Sequence, residues 1–448
     1  WRLKCWPRNK NGIDASKAVN KGRNAPHAPT PNVNSLHISR KSRTGLAPSM
    51  ALSFSSGEAT LKSVCSLILA TAMSCSFFFV KMTGLSRQEY QKPPSRGNSM
   101  VRILVTGFEP FGKHSQNISS EVVDQLPSQI VLDDPWSDLR ESRMDSFEVT
   151  LEKRILTVDE TGSREIASAL LGGSEWDAIL HLGLCDTCRI PRIETVAQDH
   201  VHMKIPDNSG RQIHHQTIHD KGDLSVTLPT EEWMLLPWSV ECELSQDAGS
   251  FLCNETFYHT LRTLGEMYGG NKSRPPCIFV HLPPPERCSL QRALMYVKEV
   301  LQRMMFRPVV SVVGALITLD DEYLVAQRSF GQKHAGKWEF PGGKVELNET
   351  LESALVREIK EEFGWKVRCD ESIGTWYHSL EKTDIALHIL PTFFTGTLPN
   401  ISDMELWTAH QDVRWRNLSD DSALDWLGNN GAVVQWMKES NFSSDPGN

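Results

Sequence analysis

Three glutamates spaced i, i+3 and i+4 constrain this chain more than any other feature. Residues 342–365 read GGKVELNETLESALVREIKEEFGW, and a helix through them puts Glu358, Glu361 and Glu362 on one face. Like charges packed that way repel, so a helix that keeps them is expected to hold a cation. Their hard oxygens suit Mg²⁺ or Mn²⁺, which in turn bind phosphates. The competing reading of the same residues is a solvated acidic helix.

At 448 residues the chain is too long for one ordinary domain, and two or three are expected. Apolar content of 40% and charged content of 23% are those of a soluble globular protein. The net charge of -8 hides an asymmetry. Residues 1–99 carry 15 Lys/Arg against Asp14, Glu58 and Glu89, which leaves 32 basic and 52 acidic residues beyond them. A nucleic-acid polymer is therefore not an expected partner. Ten cysteines without a repeating spacing suggest free thiols inside a cell rather than a disulfide scaffold.

Residues 1–99 are basic, acid-poor and rich in Ser, Asn and Pro, so they are expected to be a disordered extension or a targeting segment. The uncharged run Ser63 to Val80 is weighed as a signal-type core or a short membrane anchor, and its five Ser/Thr residues argue against a membrane helix. The expected location is the cytoplasm, or a plastid or mitochondrion if the segment is a genuine transit peptide. From 100 to about 305, strands at Arg102–Val105, Ala178–His181 and Cys277–His281 alternate with helical patterns at Ser163–Leu171, Glu255–Leu264 and Leu290–Met304. That alternation predicts a doubly wound α/β/α sheet. A fresh strand, Val309–Leu319, opens a second unit running from 306 to 448, with the junction near Met304–Pro308.

The 100–305 unit carries its own chemistry. Cys253 lies in DAGSFLCNETFYHTL, where a small-residue turn leads into a helix whose dipole favours a thiolate. His281 ends the strand CIFVH, at the sheet edge where open α/β folds place their sites. Glu194, in PRIETVA, is a carboxylate able to orient an imidazole. Nucleophile, base and orienter suffice for acyl transfer, although a lone buried Cys is more often a small hydrophobe. The pair Cys185/Cys188 lacks the four ligands zinc wants and is read as incidental.

The motifs TGFEPFG at 106–112, IETVAQ at 193–198, IPDN at 205–208, DAGSFLCN at 247–254 and FVHLP at 279–283 resemble pyroglutamyl peptidase I in order and spacing. The resemblance implies a cysteine peptidase that removes N-terminal pyroglutamate and needs no cofactor. It makes Cys253 the nucleophile, His281 the general base and Glu194 the third member. It also assigns Phe108 and Phe111 to the pyrrolidone pocket, where the competing reading is core packing. Departures are Asn117-Ile118-Ser119 after FEPFG, Gln198 where Asn is usual, and a poor match over 211–240.

The second unit resembles Nudix hydrolases, whose box is G-x5-E-x7-R-E-U-x-E-E-x-G-U. Gly343, Glu349, Arg357, Glu358, Ile359, Glu361, Glu362 and Gly364 fall on it, with Trp365 as the soft departure. AQRSFGQKHAGKWEFPGGKVE, at 326–346, is similar to the MutT branch. That resemblance implies an α/β/α fold with a mixed sheet, Mg²⁺ (or Mn²⁺) as cofactor, and nucleoside triphosphates, 8-oxo-dGTP among them, as substrates. It implies Gly342, Glu358, Glu361 and Glu362 as metal donors, with Glu361 and Glu362 in the chemistry. Arg357 and Glu349 brace the box, and Gly364 caps the helix. Arg328 and Asn430 are assigned to the base, with a turn as the other reading of Asn430. Near 409, where some members add a metal-binding glutamate, the chain reads Thr408-Ala409-His410-Gln411-Asp412, and Glu405 and Asp412 are weighed as substitutes. The reading is a bifunctional hydrolase, compatible with a homo-oligomer. The alternatives are a Nudix half acting on ADP-ribose, dinucleotides or nucleotide sugars, and one half serving as an inactive binding module.

Overall fold

The strand VRILVTGF alternates between two cores. In β1 (Val101–Phe108), Ile103 and Val105 face one apolar layer, while Leu104 and Phe108 face the other. Both faces of the strand are covered, which is the signature of a sheet with helices on each side. The computed structural model describes residues 100–141, 146–269, 274–397, 401, 409–420 and 422–440. The extension 1–99, including the run Ser63 to Val80, lies outside the described residues. Among those described, no helix is long and apolar enough to cross a membrane.

The first half continues with β2 (Gln129–Leu132), β3 (Phe147–Leu156), β4 (Ala178–Leu184), β5 (Arg192–Glu194), β6 (Val196–Ala197), β7 (Leu224–Ser225), β8 (Glu243–Ser245) and β9 (Cys277–Leu282). Its helices are α1 (Ile118–Gln125), α2 (Glu160–Leu171), the single turn α3 (Thr230–Trp233), α4 (Leu252–Met267) and α5 (Leu290–Met305). Seven strands form one sheet in the order β2-β3-β1-β4-β9-β5-β8. β3, β1, β4 and β9 run parallel. β2 and β5 join antiparallel at their neighbours, a feature the alternation of strands and helices did not announce. Ile118, Val122, Ala293 and Val297 of α1 and α5 pack on one face, and Ile166, Leu170, Leu261 and Leu264 of α2 and α4 on the other. The expected doubly wound α/β/α architecture is what forms. α4 begins at Leu252, three residues before the expected helix, which brings Cys253 into its first turn.

The second half comprises β10 (Val309–Leu319), β11 (Glu322–Arg328), β12 (Trp338–Glu339), β13 (Gly342–Lys344), α6 (Leu351–Phe363), β14 (Val367–Cys369), β15 (Gly374–Ser379), β16 (Asp384–Phe394), β17 (His410–Asn417) and α7 (Asn430–Glu439). β10 and β16 are parallel and the other pairings antiparallel, so the sheet is mixed. α6 buries Leu355, Ile359 and Phe363 against one face, and α7 buries Val433 and Met437 against the other.

The two halves share a core. α5 passes through 306–308 directly into β10, and Val309 and Ala386 join the same cluster as Val300, Leu301 and Met304. Phe147 and Phe306 meet at the seam, ring centroids 5.1 Å apart. Arg140, with 2% of its side chain exposed, is salt-bridged to Asp134 and reaches Asp384 Oδ2 at 2.9 Å. The same guanidinium donates to the carbonyl of Arg307. One cation thus ties a loop of the first half to the linker and to the start of β16. Replacing Arg140 by Met should cost about 3–5 kcal/mol, the range for breaking a buried pair, because Asp134 loses its positive partner and Asp384 is left with Arg307 at 3.3 Å. Denaturant unfolding measures this, and a midpoint equal to wild type would show that apolar contacts alone hold the seam.

Candidate active sites

In β9 the alternation that sends Ile278 and Val280 to the α5 side turns Phe279 toward α4. His281, two residues on, points the same way, toward the start of α4. β5 pairs antiparallel with β9, placing Glu194 opposite Phe279 and its carboxylate beside the imidazole. His281 Nδ1 donates to Glu194 Oε1 at 2.7 Å, and both side chains are buried. A carboxylate on Nδ1 leaves Nε2 as the nitrogen for other chemistry. Burial opposes the charged imidazolium, but hydrogen bonds and charge from Cys253 and Glu194 outweigh it and raise His281 to about 9. Cys253 sits in the first turn of α4, among backbone N–H groups that have no helical partner.

The space in front of the thiol is kept by Gly183. A Cβ there would lie 2.8 Å from the Phe279 ring and 3.0 Å from Cys253 Sγ. Phe108, Phe111, Leu184, Phe251 and Cys253 line a small apolar pocket. Phe108 is 2% exposed and belongs to the core as well as to this lining; Phe111 is half-buried and packs on Phe251 at 5.8 Å. The sequence reading passed over Asn254. Its amide accepts from Gln198 N–H at 2.8 Å and donates to the carbonyls of Gln198 and His200, pinning the strand after Glu194 to the helix that carries Cys253. The poorly matching segment is also anchored here. Arg211 bonds Glu255 at 2.7 Å and Asp207 at 2.9 Å, and Asp199 accepts four backbone N–H groups from residues 218–222.

The pair Cys185/Cys188 is a correction. Instead of two incidental thiols, the turn leaving β4 brings the Cα atoms to 5.4 Å and the cysteines form a disulfide. The loop also carries Asp186, which pairs with Lys113 and His114.

In the second half, α6 opens on a reciprocal cap in which Thr350 and Ser353 exchange side-chain and backbone hydrogen bonds. It ends at Gly364, whose φ of 71° is the left-handed cap conformation. Arg357 holds Glu349 through two bonds of 2.7 and 2.8 Å, reaches the carbonyl of Lys344, and approaches Glu358 and Glu361 at 3.0 and 3.3 Å. That guanidinium holds Glu349 below the usual carboxylate range. Gly343 is needed for close approach, since a Cβ there would lie 2.3 Å from the Glu358 carboxyl carbon.

Glu358 and Glu362 are unlike Glu349. Burial raises Glu358, and burial together with the charges of Glu339 and Glu358 raises Glu362 to about 8. Glu362 Oε2 is buried and has no hydrogen-bond partner. Crowded, under-partnered carboxylates of this kind fit a divalent cation. Among the described residues, however, no three His, Cys, Asp or Glu side chains converge on one ion position. Water and substrate phosphate oxygens would have to complete the shell, as is usual for Mg²⁺.

The residues assigned to the base are occupied. Arg328 Nη1 pairs with Glu339 Oε1 at 2.8 Å and Nε donates to the carbonyl of Lys333. Asn430 is 6% exposed; its Oδ1 accepts from Phe340 N–H and its Nδ2 donates to the carbonyl of Leu427. Base reading by Asn430 would require exchanging those bonds. Asp412 is taken by Arg414 at 2.8 Å, and Glu405 lies outside the described residues.

The pyroglutamyl peptidase family model matches residues 101–294, and the NUDIX domain model matches residues 307–436. A pyrrolidone-carboxylate peptidase of Fusobacterium nucleatum subsp. nucleatum is 30% identical over 188 residues, covering 41% of this chain and 78% of that protein. Another, from Deinococcus radiodurans, is 27% identical over 189 residues with the same coverage, 41% and 78%. A CTP pyrophosphohydrolase of Escherichia coli is 41% identical over 91 residues, covering 20% of this chain and 67% of the relative. The chain therefore belongs to two hydrolase families at once, the pyroglutamyl peptidases through residues 101–294 and the Nudix hydrolases through residues 307–436.

Proposed function

We propose that the first half releases pyroglutamate from peptide N-termini with Cys253, His281 and Glu194 as its machinery. The 2.7 Å bond from His281 to Glu194, set behind a thiol at a helix N-terminus, carries this reading. The Cys253 thiolate attacks the pyroglutamyl carbonyl carbon, and His281 gives its proton to the departing amine. Water, losing a proton to His281, then hydrolyses the thioester and restores the thiol. Glu194 holds the imidazole in register, and the neutral lactam ring fits the apolar pocket between Phe108 and Phe111.

The second half we assign to nucleoside triphosphate hydrolysis, yielding monophosphate and pyrophosphate. The crowding of Glu358 and Glu362 on α6 supports it. Glu358, Glu361, Glu362 and the carbonyl of Gly342 would hold Mg²⁺ or Mn²⁺, with Arg357 and Glu349 bracing the turn. Held by these residues, the ion would supply charge neutralisation of the phosphate chain and a more acidic water for attack on phosphorus. An oxidised purine triphosphate such as 8-oxo-dGTP is the first substrate to test. The similarity to a CTP pyrophosphohydrolase, together with the internal engagement of Arg328 and Asn430, favours CTP or dCTP as the second. Pyrophosphate release across a panel of 8-oxo-dGTP, CTP, dCTP, ADP-ribose and NADH separates them, and preference for ADP-ribose would overturn the triphosphate assignment.

Cys253→Ala should abolish pyroglutamyl release and leave nucleotide hydrolysis at the wild-type rate, whereas Glu361→Gln should do the reverse. Loss of both activities in either variant would contradict two independent sites. The pH profile is a third check. Because His281 is raised to about 9, its imidazolium persists below that pH and loses its proton above it. Peptidase kcat/KM should therefore fall on the alkaline side near pH 9. Removing the carboxylate in Glu194→Gln withdraws support from the imidazolium, so the alkaline limb moves to lower pH and kcat/KM drops by roughly 10²–10⁴. A limb that stays in place would remove Glu194 from the triad.

A further inference from the structure

His410 opens β17 with its side chain fully buried, its ring stacked on Phe363 with centroids 5.0 Å apart. Nε2 lies 3.0 Å from Glu339 Oε1, the oxygen that also takes Arg328 Nη1 at 2.8 Å. A carboxylate paired with a guanidinium only accepts hydrogen bonds, so Nε2 carries the ring proton. Nδ1 is then left with its lone pair on the opposite edge. What it faces is Glu362 Oε2, 3.6 Å away. Both atoms are buried and neither has a hydrogen-bond partner. Two electron-pair donors held out of water, each without a donor of its own, call for something electrophilic between them.

We propose that His410 is a nitrogen ligand of the divalent cation in the Nudix half, with Nδ1 and Glu362 Oε2 as neighbouring donors. The proposal rests on the reading that α6 holds a cation. At metal–donor distances of about 2.1 Å, donors 3.6 Å apart subtend about 120° at a shared ion, and closing them to about 3.0 Å gives the octahedral right angle. That half-ångström is within the play of two side chains. Glu339 behind the imidazole supplies the second feature of a ligating histidine, a carboxylate that takes the other ring N–H and fixes the tautomer. Among the described residues no three such side chains already converge on one point, so the other α6 donors, water and phosphate oxygens would have to close around the ion as it binds. His410 thereby stands where Glu405 and Asp412 were weighed as the additional ligand. An imidazole nitrogen also shifts preference from Mg²⁺ toward Mn²⁺ and Co²⁺. The chain Arg328–Glu339–His410–Glu362 further connects the candidate base-side arginine to the ion.

The test needs no nucleotide. Full-length protein is titrated with Mn²⁺, and the bound ion is examined by pulsed electron paramagnetic resonance for coupling to a directly coordinated ¹⁴N. The expected result is imidazole coupling in wild type that vanishes in His410→Gln, with Mn²⁺ bound at least about 10-fold more weakly. The surface histidines 202, 214 and 215 lie near one another, so the coupling must persist when all three are changed to Gln. Coupling that survives in His410→Gln, or vanishes with the surface histidines, overturns the proposal. Mn²⁺ bound to wild type without nitrogen coupling also overturns it, while leaving the oxygen-only cation site intact. If Mn²⁺ does not bind wild type, the proposal and the cation reading fail together. The wild-type spectrum decides the matter even if the buried His410→Gln variant does not fold.

Discussion

A carboxylate taken out of water must find positive charge or several hydrogen-bond donors, and this constraint organises both halves of the molecule. Asp134 and Asp384 find Arg140, Asp207 and Glu255 find Arg211, and Glu194 finds His281. Arg140 with Asp384, Arg211 with Glu255 and His281 with Glu194 each cross between elements, so satisfying the charge also sets the position of a strand or loop. Arg140 sets the seam between the halves. Arg211 fastens the 205–222 segment over the start of α4, and Glu194 gives the imidazole at the end of β9 one orientation.

Glu362 differs from these, and the difference is informative. Its burial is not matched by a partner, and the charges of Glu339 and Glu358 press on it further. Among the described residues, Asp199, Asp207 and Glu255 are met by donors from within the chain, whereas Glu362 Oε2 has no hydrogen bond. Functional sites give up local stability in this way, because a group already neutralised by the protein has little affinity left for a cation or substrate. The peptidase site follows the opposite course. Its charge partners are all internal, its pocket is apolar, and its substrate ring is neutral.

Contiguous patterns were the legible part. The strands Arg102–Val105, Ala178–His181 and Cys277–His281 lie inside β1, β4 and β9, since apolar runs bounded by turn residues reveal themselves locally. The acidic face of α6 and its Gly364 cap were legible for the same reason, because helical spacing relates residues within one or two turns. The antiparallel placements of the edge strand β2 and of β5, between β9 and β8, were not, because strand direction is settled by which neighbour offers free backbone groups. Neither was the disulfide: a C-x-x-C spacing is compatible with apposed or separated thiols, and only the turn leaving β4 chooses. Asn430 shows the same limit from the other side, as its motif fits a base reader while its amide is spent on Phe340 and Leu427.

The sequence by itself determined the fold class of each half, the residue types needed for acyl transfer and for cation binding, and the shared face of the three α6 glutamates. All of these depend on periodicity or on neighbours within a few residues. The tertiary structure decided what those groups meet: His281 with Glu194 across 87 residues, Arg140 with Asp384 across 244, and His410 set between Glu339 and Glu362. Such meetings follow from sheet order and from which face of a strand is buried. These are properties of the packed chain, and no local window of residues contains them.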